Sequence, residues 1–149
     1  MIRHFIFGLF FGLTATFALA EDGKAIYDAN CAACHQPDGA GAVGLAPPLA
    51  GTLGKRITSP VGRKYVPGVV IAGMAGKIES KGVVYNGIMP NWQQFSDAEL
   101  AAVVNHVLTT FNAAELAAGH TPYAAEEFAA VRAKKPTAKE LRGWRSESE

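Results

Sequence analysis

One stretch of the chain carries a clear hydrophobic rhythm. From Asp97 to Phe111 the apolar residues Leu100, Val103, Val104, Val107, Leu108 and Phe111 recur three and four apart, which predicts a helix with one apolar face. Ser96 stands just before it with Glu99 three residues on, the pairing of a capping box. His106 falls about 140° from the centre of that stripe at 3.6 residues per turn, so it is expected to face water. A first helix is expected over residues 22 to 33, and a short one after Pro67, over 69 to 72. Residues 78 to 85 read as an extended pair turning at Lys81-Gly82, which delivers the segment around Met89. Between 36 and 62 no period holds and Gly and Pro are frequent, so a long irregular segment is expected. A compact fold seldom tolerates such a segment unless something else supplies apolar surface.

The two ends of the chain read differently. Arg3 and His4 precede an uncharged apolar run from Phe5 to Leu19, closed by Ala18-Leu19-Ala20 and then Glu21-Asp22. That order predicts a secretory signal peptide over residues 1–20, cleaved after Ala20. The run falls short of the roughly 20 apolar residues of a spanning helix, so no stable membrane span is expected once it is removed. An uncleaved anchor is the alternative. At the other end, Thr121-Pro122 reads as a helix opening, with Phe128 and Val131 on one face. Pro136 interrupts, and Leu141 and Trp144 follow three apart. Helices this short are marginal alone. A solvated tail, an intramolecular wrap and a partner dock all remain open for residues 112–149.

Composition narrows the function classes. The 149 residues are 49% hydrophobic and 18% charged, which suits one ordinary domain and excludes a multi-span membrane protein. Lys and Arg total 14 against 13 Asp and Glu, and loss of Arg3 makes them equal, so no net basic field favours nucleic acid. Locally, Lys55, Arg56, Arg63, Lys64, Lys77 and Lys81 face only Glu79 along the sequence. They form either a steering surface for an acidic partner or a solvated stretch balanced in space.

Both cysteines of the chain lie in Cys31-Ala32-Ala33-Cys34-His35. A redox dithiol needs a βαβ context, and a structural zinc site needs four ligands; neither is visible. Export would oxidise an idle thiol pair. The His directly after the second Cys points instead to c-type haem attachment. Thiols three residues apart reach the two vinyl groups on one porphyrin edge, and the next residue offers its imidazole to the iron.

With that motif in place, residues 23 to 111 resemble the class I mono-haem cytochromes c. Gly23-Lys-Ala-Ile-Tyr27 looks like that family's first helix, whose Gly and aromatic residue pack on the last core helix. Gly44-Leu-Ala-Pro-Pro-Leu-Ala-Gly51 is similar to its Gly-x-x-Pro-x-Leu stretch. The resemblance implies that Pro47 accepts a hydrogen bond from His35 Nδ1 and that Leu49 belongs to the haem site. Tyr85-Asn-Gly-Ile-Met-Pro-Asn-Trp92 resembles the family's methionine ligand loop, which implies Met89 as the sixth iron ligand opposite His35. Of the other candidates, Met74 reads as an apolar gap-filler, His106 faces away, and His120 lies beyond the core. Trp92, Tyr85, Asn86 and Arg56 are candidates for the haem edge or propionates, with ordinary core equally open for the two aromatics.

The implied fold is all-α, a small class I cytochrome c-type helical fold around one covalently bound haem c and its iron. It has a short extended hairpin, with 21–111 as the haem domain and 112–149 as a C-terminal helical extension. The implied function is one-electron transfer in the periplasm, with no catalytic residue, between redox proteins such as a dehydrogenase, a terminal oxidase or another cytochrome. An electron-accepting subunit of a periplasmic dehydrogenase is one alternative. A haem enzyme or gas sensor with a labile sixth ligand is another.

Overall fold

The computed structural model describes residues 21–149; the signal peptide expected over 1–20 lies outside the described residues. In chain order the elements are α1 (Gly23–Asn30), α2 (Ala32–His35), α3 (Pro60–Ala72), β1 (Met74–Ser80), β2 (Val83–Met89), α4 (Asp97–Phe111), α5 (Ala125–Lys134) and α6 (Ala138–Glu147). Single 3₁₀ turns lie at Arg56–Thr58 and Ala113–Glu115. The architecture is mainly helical with one antiparallel hairpin, as the resemblance implies.

Asp22 caps α1, its carboxylate accepting from the Ala25 N–H at 3.0 Å. The helix crosses α4 so closely at Gly23 that a Cβ there would sit 2.1 Å from the Ala102 carbonyl oxygen. Tyr27 is fully buried in this crossing, and its hydroxyl donates to the Gln36 carbonyl at 2.6 Å. The single helix expected over 22 to 33 is in fact two. The Asn30 side chain donates to the Ile26 carbonyl at 2.9 Å, a local competition that favours helix ends, and Cys31 (φ −112°) separates α1 from α2.

The short helix expected after Pro67 begins much earlier, at Pro60, with Ser59 accepting from the Gly62 N–H at 3.0 Å. Pro67 sits inside it. Proline has no N–H for the Arg63 carbonyl, which would leave a buried acceptor unpaired. The Tyr123 hydroxyl, far along the chain, donates to that carbonyl at 3.1 Å. The helix survives its proline through a tertiary hydrogen bond.

The hairpin is longer than the expected 78 to 85. Its register pairs Met74 with Met89 and Ser80 with Val83, around Lys81-Gly82 as the sequence suggested. Met89 is therefore the last residue of a strand rather than part of a loop. The stripe of α4 is buried from Leu100 to Leu108, and the Ser96–Glu99 capping box forms in both directions. His106 is only partly exposed, its ring 5.7 Å from those of Tyr27 and Phe111.

The extension packs on the rest of the molecule. Phe128 and Leu141 are as buried as Leu100 and Leu108, and all four belong to one core. The helix expected to open at Thr121-Pro122 starts later, at Ala125. The backbone before it is already engaged: Arg63 donates to the Thr121 and Pro122 carbonyls, and Asn105 exchanges hydrogen bonds with Tyr123 N–H and C=O. Glu127 then accepts from the Ala124 N–H at 3.1 Å and receives a two-pronged ion pair from Arg63 at 2.6 and 2.9 Å. Among the described residues, no helix is long and apolar enough to cross a membrane.

Candidate haem site

One cavity, partly open to solvent, gathers most of the site residues expected from the sequence. Cys31, Cys34 and His35 line it, as do Met74 and Met89 of the hairpin. Val103, Val104 and Val107 of α4 and Val66, Val69 and Val70 of α3 supply apolar walls. The irregular segment contributes Pro47 and Leu49 to the lining. A large, flat, mostly apolar cofactor suits such a lining.

His35 is buried, with Nδ1 2.9 Å from the Pro47 carbonyl oxygen. A carbonyl only accepts, so Nδ1 carries the hydrogen and Nε2 keeps its lone pair. Burial pushes the imidazole below its ordinary value, and the Pro47 bond opposes that shift. The lowering favours the neutral, metal-binding form. Burial, with Cys34 alongside, pushes the Cys31 thiol up to about 11. Leu49 is held by its own backbone, N–H donating to the Gly39 carbonyl at 2.8 Å.

Polar groups gather at one rim. Arg56 is buried, donating through Nη1 to the Arg145 carbonyl at 2.6 Å and to Ser148 Oγ at 2.7 Å. Its Nη2 reaches Glu149 at 3.4 Å, and its Nε is buried with no partner. Burial and the nearby Arg145 charge both lower its affinity for a proton. Arg145 Nη1 lies 3.3 Å from the Tyr65 hydroxyl. Two guanidiniums, one with an unpaired N–H, line the cavity, and among the described residues the half-exposed Glu149 is the one carboxylate paired with them. A carboxylate-bearing porphyrin fits this rim, as the thiols and imidazole fit its iron end.

The structure therefore brings Cys31, Cys34, His35, Pro47, Leu49 and Met89 to one cavity, together with Met74, Arg56, Tyr85 and Trp92. Asn86 is exposed on β2 and does not line it; neither His106 nor His120 does. Sequence reasoning missed Tyr65 and Arg145, for nothing in the pattern of the extension places an arginine beside the cavity. The basic run is also less of a surface than it reads. Arg56 is turned inward and Arg63 is paired with Glu127, leaving Lys55, Lys64, Lys77 and Lys81 exposed.

Comparison with known proteins agrees with this chemistry. The family model described as Cytochrome c matches residues 20–111. One cytochrome c-552 of Thermus thermophilus is 43% identical over 132 residues, covering 88% of either chain. A second cytochrome c-552 of Thermus thermophilus is 43% identical over 120 residues, 80% of this chain and 91% of the relative. A cytochrome c2 of Pararhodospirillum photometricum is 35% identical over 57 residues, 38% of this chain and 50% of its own. Matches of 132 and 120 residues in a chain of 149 must run past residue 111, so part of the extension is matched in both Thermus relatives. With its Cys-x-x-Cys-His segment in place, the chain belongs to the cytochrome c family as a class I mono-haem member, an electron carrier whose cofactor is covalently bound haem c.

Proposed function

We propose that this protein is an exported, periplasmic carrier of single electrons, with His35 and Met89 as axial iron ligands and Cys31 and Cys34 as the porphyrin's thioether anchors. Haem c supplies the one-electron iron couple, and a His/Met pair raises its potential relative to bis-His ligation. The observation that carries the reading is His35, which lines the cavity and turns Nδ1 to the Pro47 carbonyl, leaving Nε2 as the nitrogen with a free lone pair. Pro47 fixes the ring, and Leu49 and the valines keep water from it. Of the two methionines on the cavity, Met74 packs against the buried core, whereas Met89 lines the cavity outside that core, ahead of Pro90. That difference favours Met89 as ligand and Met74 as filler. Arg56 with its unpaired Nε is suited to a propionate.

On this reading residues 1–20 are a leader, 21–111 the haem domain, and 112–149 an integral strap. The strap's apolar residues are engaged within the chain. This favours a free shuttle between redox proteins, such as a dehydrogenase and a terminal oxidase, over a dehydrogenase subunit docked through its tail. The test is a spectrum of holoprotein matured by a host with haem-attachment machinery. The weak long-wavelength band of ferric Met–iron ligation should vanish in Met89→Ala and persist in Met74→Ala. Ready carbon monoxide binding by the reduced wild type at neutral pH would replace the carrier by a haem enzyme or sensor. Co-purification with a dehydrogenase at fixed ratio would replace the free shuttle.

A further inference from the structure

The hairpin that ends at Met89 has two strands among the described residues, so β1 presents an edge with no third strand on it. Isolated two-stranded hairpins are marginal in water. Here every second carbonyl along that edge is occupied from α6. Arg142 donates to Ala75 and Lys77, and Arg145 donates to Glu79. Gly76 (φ +89°) allows the close approach, for a Cβ there would lie 3.0 Å from an Arg142 guanidinium nitrogen. α6 is itself seated on Gly68 of α3, where a Cβ would meet Leu141 at 2.7 Å. The tip of the hairpin has a separate anchor, Lys81 donating to the Ala50 carbonyl at 3.0 Å. At the ladder end that carries Met74 and Met89, the flanking backbone is tied to α3 by Gly73 N–H on the Val69 carbonyl at 2.9 Å and Trp92 N–H on the Val70 carbonyl at 3.1 Å. The nearest side-chain anchor on β1 is at Ala75, one residue from Met74 and paired with Ile88.

We propose that Arg142 is a positioning residue for the sixth iron ligand, its guanidinium locking the β1 edge so that the paired β2 end holds Met89 on the cavity. The proposal rests on the reading of Met89 as ligand. Arg142 does not line the cavity and is exposed, so its effect passes through the strand and not through contact with the cofactor. Removing its two carbonyl bonds frees the ladder end to fray, and the bound and unbound states of Met89 draw closer in energy. An external ligand then binds more tightly in proportion to the open fraction.

The experiment is imidazole titration of the ferric holoprotein, with the Met–iron band followed in parallel. Arg142→Ala should bind imidazole about tenfold more tightly, or about 1.4 kcal/mol. Its band should weaken, and Arg142→Lys, which offers one donor group to the same edge, should recover part of both. Tyr123→Phe, a destabilising change remote from the hairpin, should leave imidazole affinity at the wild-type value. Wild-type affinity in Arg142→Ala, with the band still abolished by Met89→Ala, overturns the positioning role and leaves the ligand assignment standing. An equal rise in Tyr123→Phe also overturns it, by showing a general loosening. Persistence of the band in Met89→Ala removes the ligand assignment and this proposal with it.

Discussion

At the scale of single residues, the most consequential side chain outside the cavity is Asn112. It is completely buried at the C-terminal end of α4. Its Oδ1 accepts from the backbone N–H groups of Thr52, Leu53 and Gly54 at 3.0, 2.9 and 3.4 Å, while Nδ2 donates to the Val107 carbonyl at 3.1 Å. One amide thus satisfies three donors of the irregular segment that helps wall the site and ties them to α4. Asn112→Ala leaves those donors and one acceptor buried without partners, each at about 1–3 kcal/mol, partly relieved by entering water. A net loss of about 3 kcal/mol in denaturant stability is expected, and Asn112→Asp, which restores the acceptor, should recover part of it. A loss near ~1 kcal/mol or less in Asn112→Ala would mean the segment holds itself. Nothing in the sequence distinguishes this asparagine from any other polar residue after a helix, because its partners lie about 60 positions away.

At the scale of elements, legibility follows how local each determinant is. α4 was readable because its stripe and its capping box are both contained within sixteen residues, 96 to 111. The turn at Lys81-Gly82 was readable for the same reason, Lys81 and Gly82 both adopting positive φ. The cavity lining was readable at Cys31, Cys34 and His35 because they are neighbours in the chain, and at Pro47 and Met89 through a resemblance of short motifs. α3 was not. Pro67 argues locally against a helix through 60 to 72, and the argument is overturned by Tyr123, whose hydroxyl replaces the missing donor. That account predicts the behaviour of Tyr123→Phe. The change keeps the ring packed against Phe128 and beneath the Arg63 guanidinium, 4.4 Å from its centroid, and removes only the hydroxyl. With the Arg63 carbonyl left unpaired, stability should fall by about 1–2 kcal/mol. Amide hydrogen exchange should rise around Pro67 in α3 while that of α4 changes less. Equal exchange in the two helices would refute the bridging role. Helix crossing gives a second test at this scale. Gly23→Ala places a methyl against the α4 backbone at Ala102 and should cost about 1–3 kcal/mol despite alanine's better helix propensity.

At the scale of the whole molecule, the extension decides how many cooperative units the chain contains. A terminal appendage would unfold early and leave the haem domain intact. Instead, Phe128, Val131 and Leu141 share a core with Tyr27, Leu100 and Leu108. Three arginines staple the two parts together: Arg63 to Glu127, Arg132 to Asp97 at 2.8 Å, and Arg56 to Ser148. The ion pairs are partly exposed and contribute little, so the buried side chains carry most of the coupling. Leu141 is the sharpest probe, being fully buried where α6 rests on Gly68 and outside the cavity lining. Leu141→Ala removes its methyl groups and leaves a void, which costs about 2–5 kcal/mol in well-packed cores. If residues 21–149 form one unit, the thermal transition of the holoprotein should stay single and shift downward by roughly 10 °C. Helical circular dichroism and haem absorbance should then move together. Two transitions, with the helical signal falling first and the haem signal at its wild-type temperature, would show that α5 and α6 are a detachable layer. The haem end of the chain would then be a complete domain without them, and the edge contacts of Arg142 and Arg145 an accessory to it rather than part of how the site is held.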